Sequence, residues 1–242
     1  MNKYNIISKL KNKITLGDSL EILKLLPDKS IDLILTDPPY ELNLHGGGGM
    51  GAFCERKLIK TQHIDFMSHG FDYDTYFNEF IRICKKVNLY IFCSNQQITK
   101  IMSWFEAKGY LVNLLVWHKT NAIPLVNKKY HSNAEYLICV RESGATFNNL
   151  SVNESTKIFS FPYPNDQNRF HPSQKPIALF KILINRKSNE NDLVLDCFSG
   201  SGTTAIACHN LKRNFICIEK DETFYKKSVE RLKNVECQTT LF

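Results

Sequence analysis

No apolar run in the sequence approaches the roughly 18 residues that a membrane helix requires. The stretch from Met1 to Lys13 also lacks the apolar centre of a secretory leader. These two shortages set the expectation of a cytoplasmic chain with no membrane attachment. Cysteine is present but unpaired in pattern. Cys54, Cys84, Cys93, Cys139, Cys197, Cys208, Cys217 and Cys237 form no C-x-x-C motif, and no histidine cluster accompanies them at zinc spacing. Most sit in apolar runs, so reduced, buried thiols are expected and no metal. The glycines Gly46, Gly47, Gly48 and Gly49 are not followed by Gly-Lys-Ser/Thr, which excludes a phosphate cradle of P-loop type. There is no internal repeat, and no low-complexity tract beyond those glycines.

What remains is a chain of 242 residues, 43% hydrophobic, enough for one large domain or a domain with a small insert. Its net charge is +7, with 31 Lys and Arg against 24 acidic residues, a basic excess compatible with a polyanionic partner.

The predicted elements alternate. Residues 1–13 read as a loose, basic lead-in. Ile14 to Leu16 is a short strand ended by Gly17-Asp18, and Ser19 to Leu26 has the spacing of an amphipathic helix. Asp18 is then either a crevice carboxylate or a helix N-cap. A buried strand over 31–36 runs into Asp37-Pro38-Pro39-Tyr40, where proline stops it. Residues 41–75 break the pattern with glycines and basic residues, a long loop suited to order around a ligand. A helix (Tyr73 to Lys86), a strand (Asn88 to Ser94) and a helix (Gln97 to Lys108, ended by Gly109) follow. Strands over 110–118 and 134–141 form a hairpin around 119–133, whose Lys119, Asn121, Lys128, Lys129, Tyr130 and His131 suit nucleic acid contact. Residues 143–170 read as loop, with Phe159, Phe161, Tyr163 and Arg169. A helix from Ile177, a strand (Asp192 to Asp196), a helix (Ala205 to Leu211), a strand (Phe215 to Glu219) and a helix (Thr223 to Leu232) complete the chain.

Two stretches carry chemistry. Asp37 ends a strand, the edge where ligands bind in open α/β sheets, and two prolines stiffen the backbone before Tyr40. A carboxylate and a rigid carbonyl side by side can together accept two N–H donors, and an aromatic ring offers a face for stacking. The second stretch, Asp196-Cys197-Phe198-Ser199-Gly200-Ser201-Gly202-Thr203-Thr204, is a Gly-rich turn between strand and helix. Glu219 ends the next strand, where an acid accepts ribose hydroxyls. Ala205 stands where a nicotinamide fingerprint tolerates it, so spacing alone leaves that alternative open.

Asp-Pro-Pro-Tyr, Asp-x-Phe-x-Gly-x-Gly-Thr-Thr and the intervening His171-Pro172-Ser173-Gln174-Lys175-Pro176 resemble three motifs of the DNA amino-methyltransferases. Their order, catalytic motif first and cofactor loop last, is similar to the circularly permuted beta class. The resemblance implies a doubly wound, mostly parallel sheet of about seven strands with a final antiparallel hairpin. It implies a single domain over 1–242. Residues 1–140 would be the catalytic half, with DNA-contacting inserts at 41–75 and 119–133. Residues 143–170 would be a target-recognition loop and 171–242 the cofactor half. It implies S-adenosylmethionine as cofactor, held by Asp18, His171, Lys175, Pro176, Asp196, Phe198, Gly200, Gly202, Thr203, Thr204 and Glu219. Catalysis falls to Asp37, Pro38, Pro39 and Tyr40, and Trp117 stands where the family often places an aromatic near the flipped base. Asp before Pro-Pro favours N6 of adenine over N4 of cytosine, and no Pro-Cys nucleophile is present for C5 methylation. Double-stranded DNA is the expected partner, with a second copy or a restriction partner as further ones. The rival readings are an RNA or protein amide methyltransferase, against which Asp before Pro-Pro and the motif order both argue, a non-catalytic DNA-binding subunit on the same fold, and a nicotinamide dehydrogenase.

Overall fold

The computed structural model describes residues 3–40, 71–122, 130–148, 151, 155–164 and 169–239. Most of the 41–75 insert, with its glycines, and Lys128 and Lys129 lie outside the described residues.

Eight strands form one sheet: β1 (Lys13–Leu16), β2 (Leu33–Thr36), β3 (Asn88–Cys93), β4 (Leu111–Lys119), β5 (Ala134–Arg141), β6 (Ile158–Phe161), β7 (Leu193–Asp196) and β8 (Asn214–Glu219). Their order across the sheet is β1-β8-β7-β2-β3-β5-β4-β6. Every pairing is parallel except the two that β5 makes, with β3 and with β4. The C-terminal strands β7 and β8 are thus inserted between the N-terminal β1 and β2, so the first and last parts of the chain share one surface.

Side chains alternate across each strand, and the sheet is covered on both faces. Ile34, Leu89, Ile91 and Ile216 face a core closed by α1 (Lys3–Leu10), α2 (Ser19–Leu25), α3 (Tyr73–Ile83) and α4 (Ile98–Glu106). Leu33, Leu35, Tyr90, Phe92 and Cys217 face the other core, closed by α5 (Ile177–Lys187), α6 (Thr203–Asn210) and α7 (Glu222–Thr239). All three apolar residues of β2 are fully buried, which explains its unalternated apolar run.

Three expectations change. The sheet has eight strands, because β6 forms inside the stretch read as loop. Phe159 is the buried residue of its four, and the strand gains its hydrogen bonds from the open edge of β4. Residues 3–10 are helical rather than a loose lead-in, because Ile6, Ile7 and Leu10 fall on one face and pack on the core. The last helix continues past Leu232 to Thr239. The antiparallel hairpin of β4 and β5 forms as expected, with β5 on the inner side. Six of the seven described cysteines are buried, all seven are free, and Cys237 is exposed.

Side chains tie α2 to α3: the Ser19 and Tyr76 hydroxyls lie 2.8 Å apart, and Arg82 binds the end of α2. The Arg82 guanidinium donates to the carbonyls of Leu23 and Leu26 at the end of α2, both at 2.9 Å, and pairs with Glu79 and Asp28. It supplies a donor to the Leu26 carbonyl at the helix end and a second one to the Leu23 carbonyl, which already accepts the Leu26 N–H. Replacing Arg82 with Ala is expected to lower the unfolding free energy by about 1–3 kcal/mol, the cost of a lost charged hydrogen-bonding group. Urea denaturation should show an earlier midpoint with an unchanged slope.

Candidate active site

Parallel strands β1, β8, β7 and β2 end on the same edge of the sheet, so the segments that follow them lie side by side. Asp18 follows β1, Glu219 closes β8, the Gly-rich turn follows β7, and Asp37 follows β2. A direct bond joins the two motif-bearing strands. The Thr36 hydroxyl donates to Asp196 Oδ1 at 3.1 Å and accepts from the Cys197 N–H at 3.2 Å. Asp196 is buried, and both of its oxygens are engaged. Oδ1 also accepts from the Phe198 N–H at 3.1 Å, and the Thr204 hydroxyl donates to Oδ2. Burial pushes the Asp196 carboxyl up to about 7, against the pull of these donors.

Asp37 sits in a cluster of charge. The Lys175 ammonium lies 2.7 Å from Asp37 Oδ2 and 2.8 Å from Glu135 Oε2, and Lys119 lies 2.7 Å from Glu135 Oε1. Asp37 Oδ1 is buried with no hydrogen-bond partner among the described residues. Burial raises the Asp37 carboxyl above its ordinary range, and Lys175 opposes that rise. The Tyr40 hydroxyl lies 3.4 Å from both Glu135 Oε2 and Lys175 Nζ. Its burial and the neighbouring Asp37 raise its pKa well above the usual phenol value. The loop is held from β3's side: Gln97, fully buried, donates from Nε2 to the Pro39 carbonyl at 3.3 Å and accepts from the Ser94 N–H at 3.0 Å.

The Gly-rich turn is built by its own contacts. Gly200 and Gly202 both have positive φ, +51° and +74°, a region L-residues avoid. A Cβ on Gly200 would meet the His171 ring at 3.1 Å, and one on Gly202 would meet Ile14 and Ser228. The glycines therefore allow the chain to pack closely on itself. On those sides the space beside the backbone is taken by protein and not by a ligand. Glu219 accepts the Gly200 N–H at 2.7 Å on one oxygen and the Asp221 N–H at 2.8 Å on the other. Burial raises its carboxyl above the usual range. Asp18 realises the N-cap alternative: Oδ1 accepts from the Leu20 and Glu21 N–H groups, and Oδ2 pairs with Lys220 at 3.1 Å. Phe198 packs on Tyr76, 5.5 Å between ring centroids, and His171 meets Phe224 edge-on at 4.3 Å. Thr203, buried, bonds Ser201, the Lys175 carbonyl and Arg231. Pro176 starts α5.

The expected residues thus gather in two adjoining groups, one around Asp37 and one around the Gly-rich turn. Lys175 belongs to both: its carbonyl touches the turn, while its side chain reaches Asp37. Trp117 departs from expectation. It is fully buried, donates to the Phe161 carbonyl at 3.0 Å, and stacks on Tyr163 at 6.0 Å. Its ring is a core element, since the Tyr163 segment covers it. Lys119 and Asn121, expected at a nucleic acid surface, have internal partners. Asn121 reads the Tyr163 backbone through both its amide atoms, whereas Tyr130 is fully exposed. Sequence reasoning missed Glu135 and Gln97. The one available signal was a lone acid opening an apolar strand, Ala134-Glu135-Tyr136-Leu137-Ile138.

The class this geometry defines is an α/β enzyme whose site lies across the C-terminal edge of a parallel sheet. Residues 31–230 match the DNA methylase family (N6_N4_Mtase), and the chain belongs to it: it is a DNA methyltransferase. It is 28% identical to the type II methyltransferase M.HinfI of Haemophilus influenzae, a match spanning 98% of this chain and 72% of that protein. Identity to the type II methyltransferase M.HpaI of Haemophilus parainfluenzae is also 28%, over 92% of this chain and 74% of the relative. Among solved structures, the M1.HpyAVI–SAM complex superposes with a TM-score of 0.65 at 29% identity, covering 91% of this chain and 99% of that one. The cytosine-N4-specific PvuII DNA methyltransferase gives a TM-score of 0.67 at 17% identity, over 92% and 90% of the two chains, a likeness of fold.

The raised carboxyl of Asp196 has a consequence for stability. An acid whose pKa is higher folded than unfolded stabilises the fold fully below its unfolded value, and loses that contribution as pH rises through the folded value. Thermal melts of the protein without ligand should fall as pH climbs from about 4 through about 7. Asp196→Asn should flatten that part of the curve.

Proposed function

We propose that the protein transfers a methyl group from S-adenosylmethionine to the exocyclic N6 of an adenine turned out of double-stranded DNA. The observation that carries this reading is Asp37: a buried carboxylate with one oxygen ion-paired and the other unpartnered, at a strand end, followed by two prolines and Tyr40. In this reading Asp37 Oδ1 accepts one N6–H and the Pro38 carbonyl the other, drawing the amine toward a nucleophilic geometry. Pro39 keeps that carbonyl in place, helped by Gln97, and Tyr40 offers its face to the base. Bound S-adenosylmethionine would supply a methyl on a cationic sulfur, which departs with the bonding pair as a neutral sulfide. The amine lone pair forms the new N–C bond, and one N–H proton leaves to Asp37 or water. The Asp37 carboxylate offsets the positive charge that grows on nitrogen.

The cofactor fits the second group of residues. Gln174 Oε1, in the segment packed beside the turn, is buried without a hydrogen-bond partner among the described residues, as in a site that a polar ligand completes. Glu219 accepts the Gly200 and Asp221 N–H groups on separate oxygens, and each carboxylate oxygen has further lone-pair capacity for ribose hydroxyls. Phe198, Gly200, Gly202, Thr203 and His171 surround the place for the methionine and ribose. Asp196 and Thr204 brace the turn from within, and Asp18, with Lys220, borders the adenine end. Lys175 and Pro176 link this pocket to Asp37.

Asp rather than Ser before Pro-Pro favours adenine over the N4 of cytosine. We assign the whole of 1–242 to one methyltransferase domain, with 1–140 catalytic and 171–242 cofactor-binding. Target choice then falls to 41–75, 119–133 and 143–170, and the type II names of the relatives suit pairing with a restriction enzyme. The DNA substrate and the reduced cysteines suit the cytoplasm.

Methyl transfer from labelled S-adenosylmethionine to unmethylated genomic DNA, read by nucleoside digestion and mass spectrometry, tests this. Label should appear in N6-methyladenine and fall by at least about 10²-fold with Asp37→Ala, the scale of losing one transition-state contact. Label in N4-methylcytosine would overturn the base. An active Asp37→Ala variant would overturn the role of the carboxylate.

A further inference from the structure

We infer that Lys175 and Glu135 are positioning residues for the methyl transfer: the row Asp37–Lys175–Glu135–Lys119 holds Asp37 ionised and turned so that its free oxygen is presented to the target amine. The inference rests on the reading of Asp37 as the amine acceptor.

The row is built from four separate places: the end of β2, the segment before α5, the start of β5 and the end of β4. Its charges alternate, with contacts of 2.7, 2.8 and 2.7 Å in succession. The Lys175 side chain is 3% exposed. A buried ammonium has three donors to satisfy, and here they face Asp37 Oδ2, Glu135 Oε2 and the Tyr40 hydroxyl. The Phe92 and Tyr40 rings lie 4.9 and 5.6 Å from it and close the remaining sides. Nothing in this arrangement leaves the ammonium free to swing.

The geometry fixes Asp37 as well. With Oδ2 committed to Lys175, rotation of the carboxylate would break a buried ion pair, so Oδ1 keeps its direction. A lone ammonium at this spot would cancel much of the negative field that the reacting nitrogen needs. Glu135 returns a negative charge, and Lys119 on its far side keeps Glu135 ionised. The row is neutral as a whole and negative at the Asp37 end.

The titration directions agree. Burial would raise Glu135, yet Lys175 and Lys119 bring it below its ordinary value. Burial would lower Lys175, yet Asp37 and Glu135 hold it above its ordinary value. The other titratable groups facing the row are Tyr40, Cys93 on β3, Asp196 on β7 and Tyr163, with Arg169 beyond Tyr163. Both tyrosines and Cys93 are raised and stay neutral across the working range. Asp196 has its oxygens bound by Thr36, Thr204 and the Phe198 N–H, outside the row.

Removing Lys175 takes away the charge that opposes Asp37's rise, and removing Glu135 takes away one that promotes it. The two changes must therefore move the acid limb of the rate in opposite directions. Single-turnover methyl transfer with saturating S-adenosylmethionine and DNA should be measured against pH for the full-length enzyme, Lys175→Met, Lys175→Arg and Glu135→Gln. Lys175→Met should shift the acid limb at least about one unit upward and recover rate at alkaline pH, while cofactor Kd changes less than about threefold. Lys175→Arg should restore much of the original profile, and Glu135→Gln should shift the limb downward. Acid limbs that do not move, or a Lys175→Met loss confined to cofactor Kd, would overturn the inference. If Lys175→Met does not fold, the direction of the Glu135→Gln shift decides it. A fully active Asp37→Ala enzyme would instead remove the reading on which the row depends.

Discussion

Thr36 and Asp196 are 160 residues apart, and one hydrogen bond between them sets the geometry of everything around it. Strand β2 pairs in parallel with β7, so the Asp-Pro-Pro-Tyr loop and the Gly-rich turn leave the sheet at the same level. Both groups at the junction are buried. An unpartnered carboxylate there would cost several kcal/mol, so Asp196 holds three donors and Thr36 bonds both ways. The bond is as much a registration device as a stabilising contact. A slip of one residue in the β2–β7 pairing would separate Thr36 from Asp196 and turn Asp37 to the other face.

Above this junction the protein concentrates charge where burial makes it expensive. Two carboxylates and two ammonium groups meet within successive ion pairs beside Asp37, and each needs its neighbour to remain ionised. Such a row is poor value as a stabilising element, since apolar residues of similar volume would serve as well or better. Its use is directional. It fixes which oxygen of Asp37 is free, and it does so with side chains from β4, from β5 and from the segment that leads into α5. Gln97 plays the matching part for the backbone of the loop, through the Pro39 carbonyl.

The segment after β6 gives the site its outer wall. Tyr163 stacks on Trp117, lies beneath Arg169 and is held by Asn121, so residues read as loose loop are tied to β4 at several points. Residues that fix this wall also restrict where the neighbouring inserts can begin.

The sequence by itself determined the alternation of strands and helices, the two motifs and their placement at strand ends. Apolar runs such as Leu33-Ile34-Leu35 and Leu193-Val194-Leu195 admit few other structures, and proline and glycine punctuate them. It did not determine β6, whose single buried residue, Phe159, leaves no periodic signal, nor α1, where three apolar side chains stand among polar ones. Asp18 was ambiguous, because a carboxylate after a strand and before a helix satisfies two descriptions until its partners are seen. Trp117 and Glu135 show the limit most plainly. Alternation along a strand says that neighbouring side chains point to opposite faces, but not which face is covered. A charge at position 135 cannot be known to meet one at 175 until the sheet order brings β5, β2 and the start of α5 together. Only long-range packing decided that Trp117 is core and that Lys175 points at Asp37, because those contacts depend on the order of strands in space and local propensity does not encode that order.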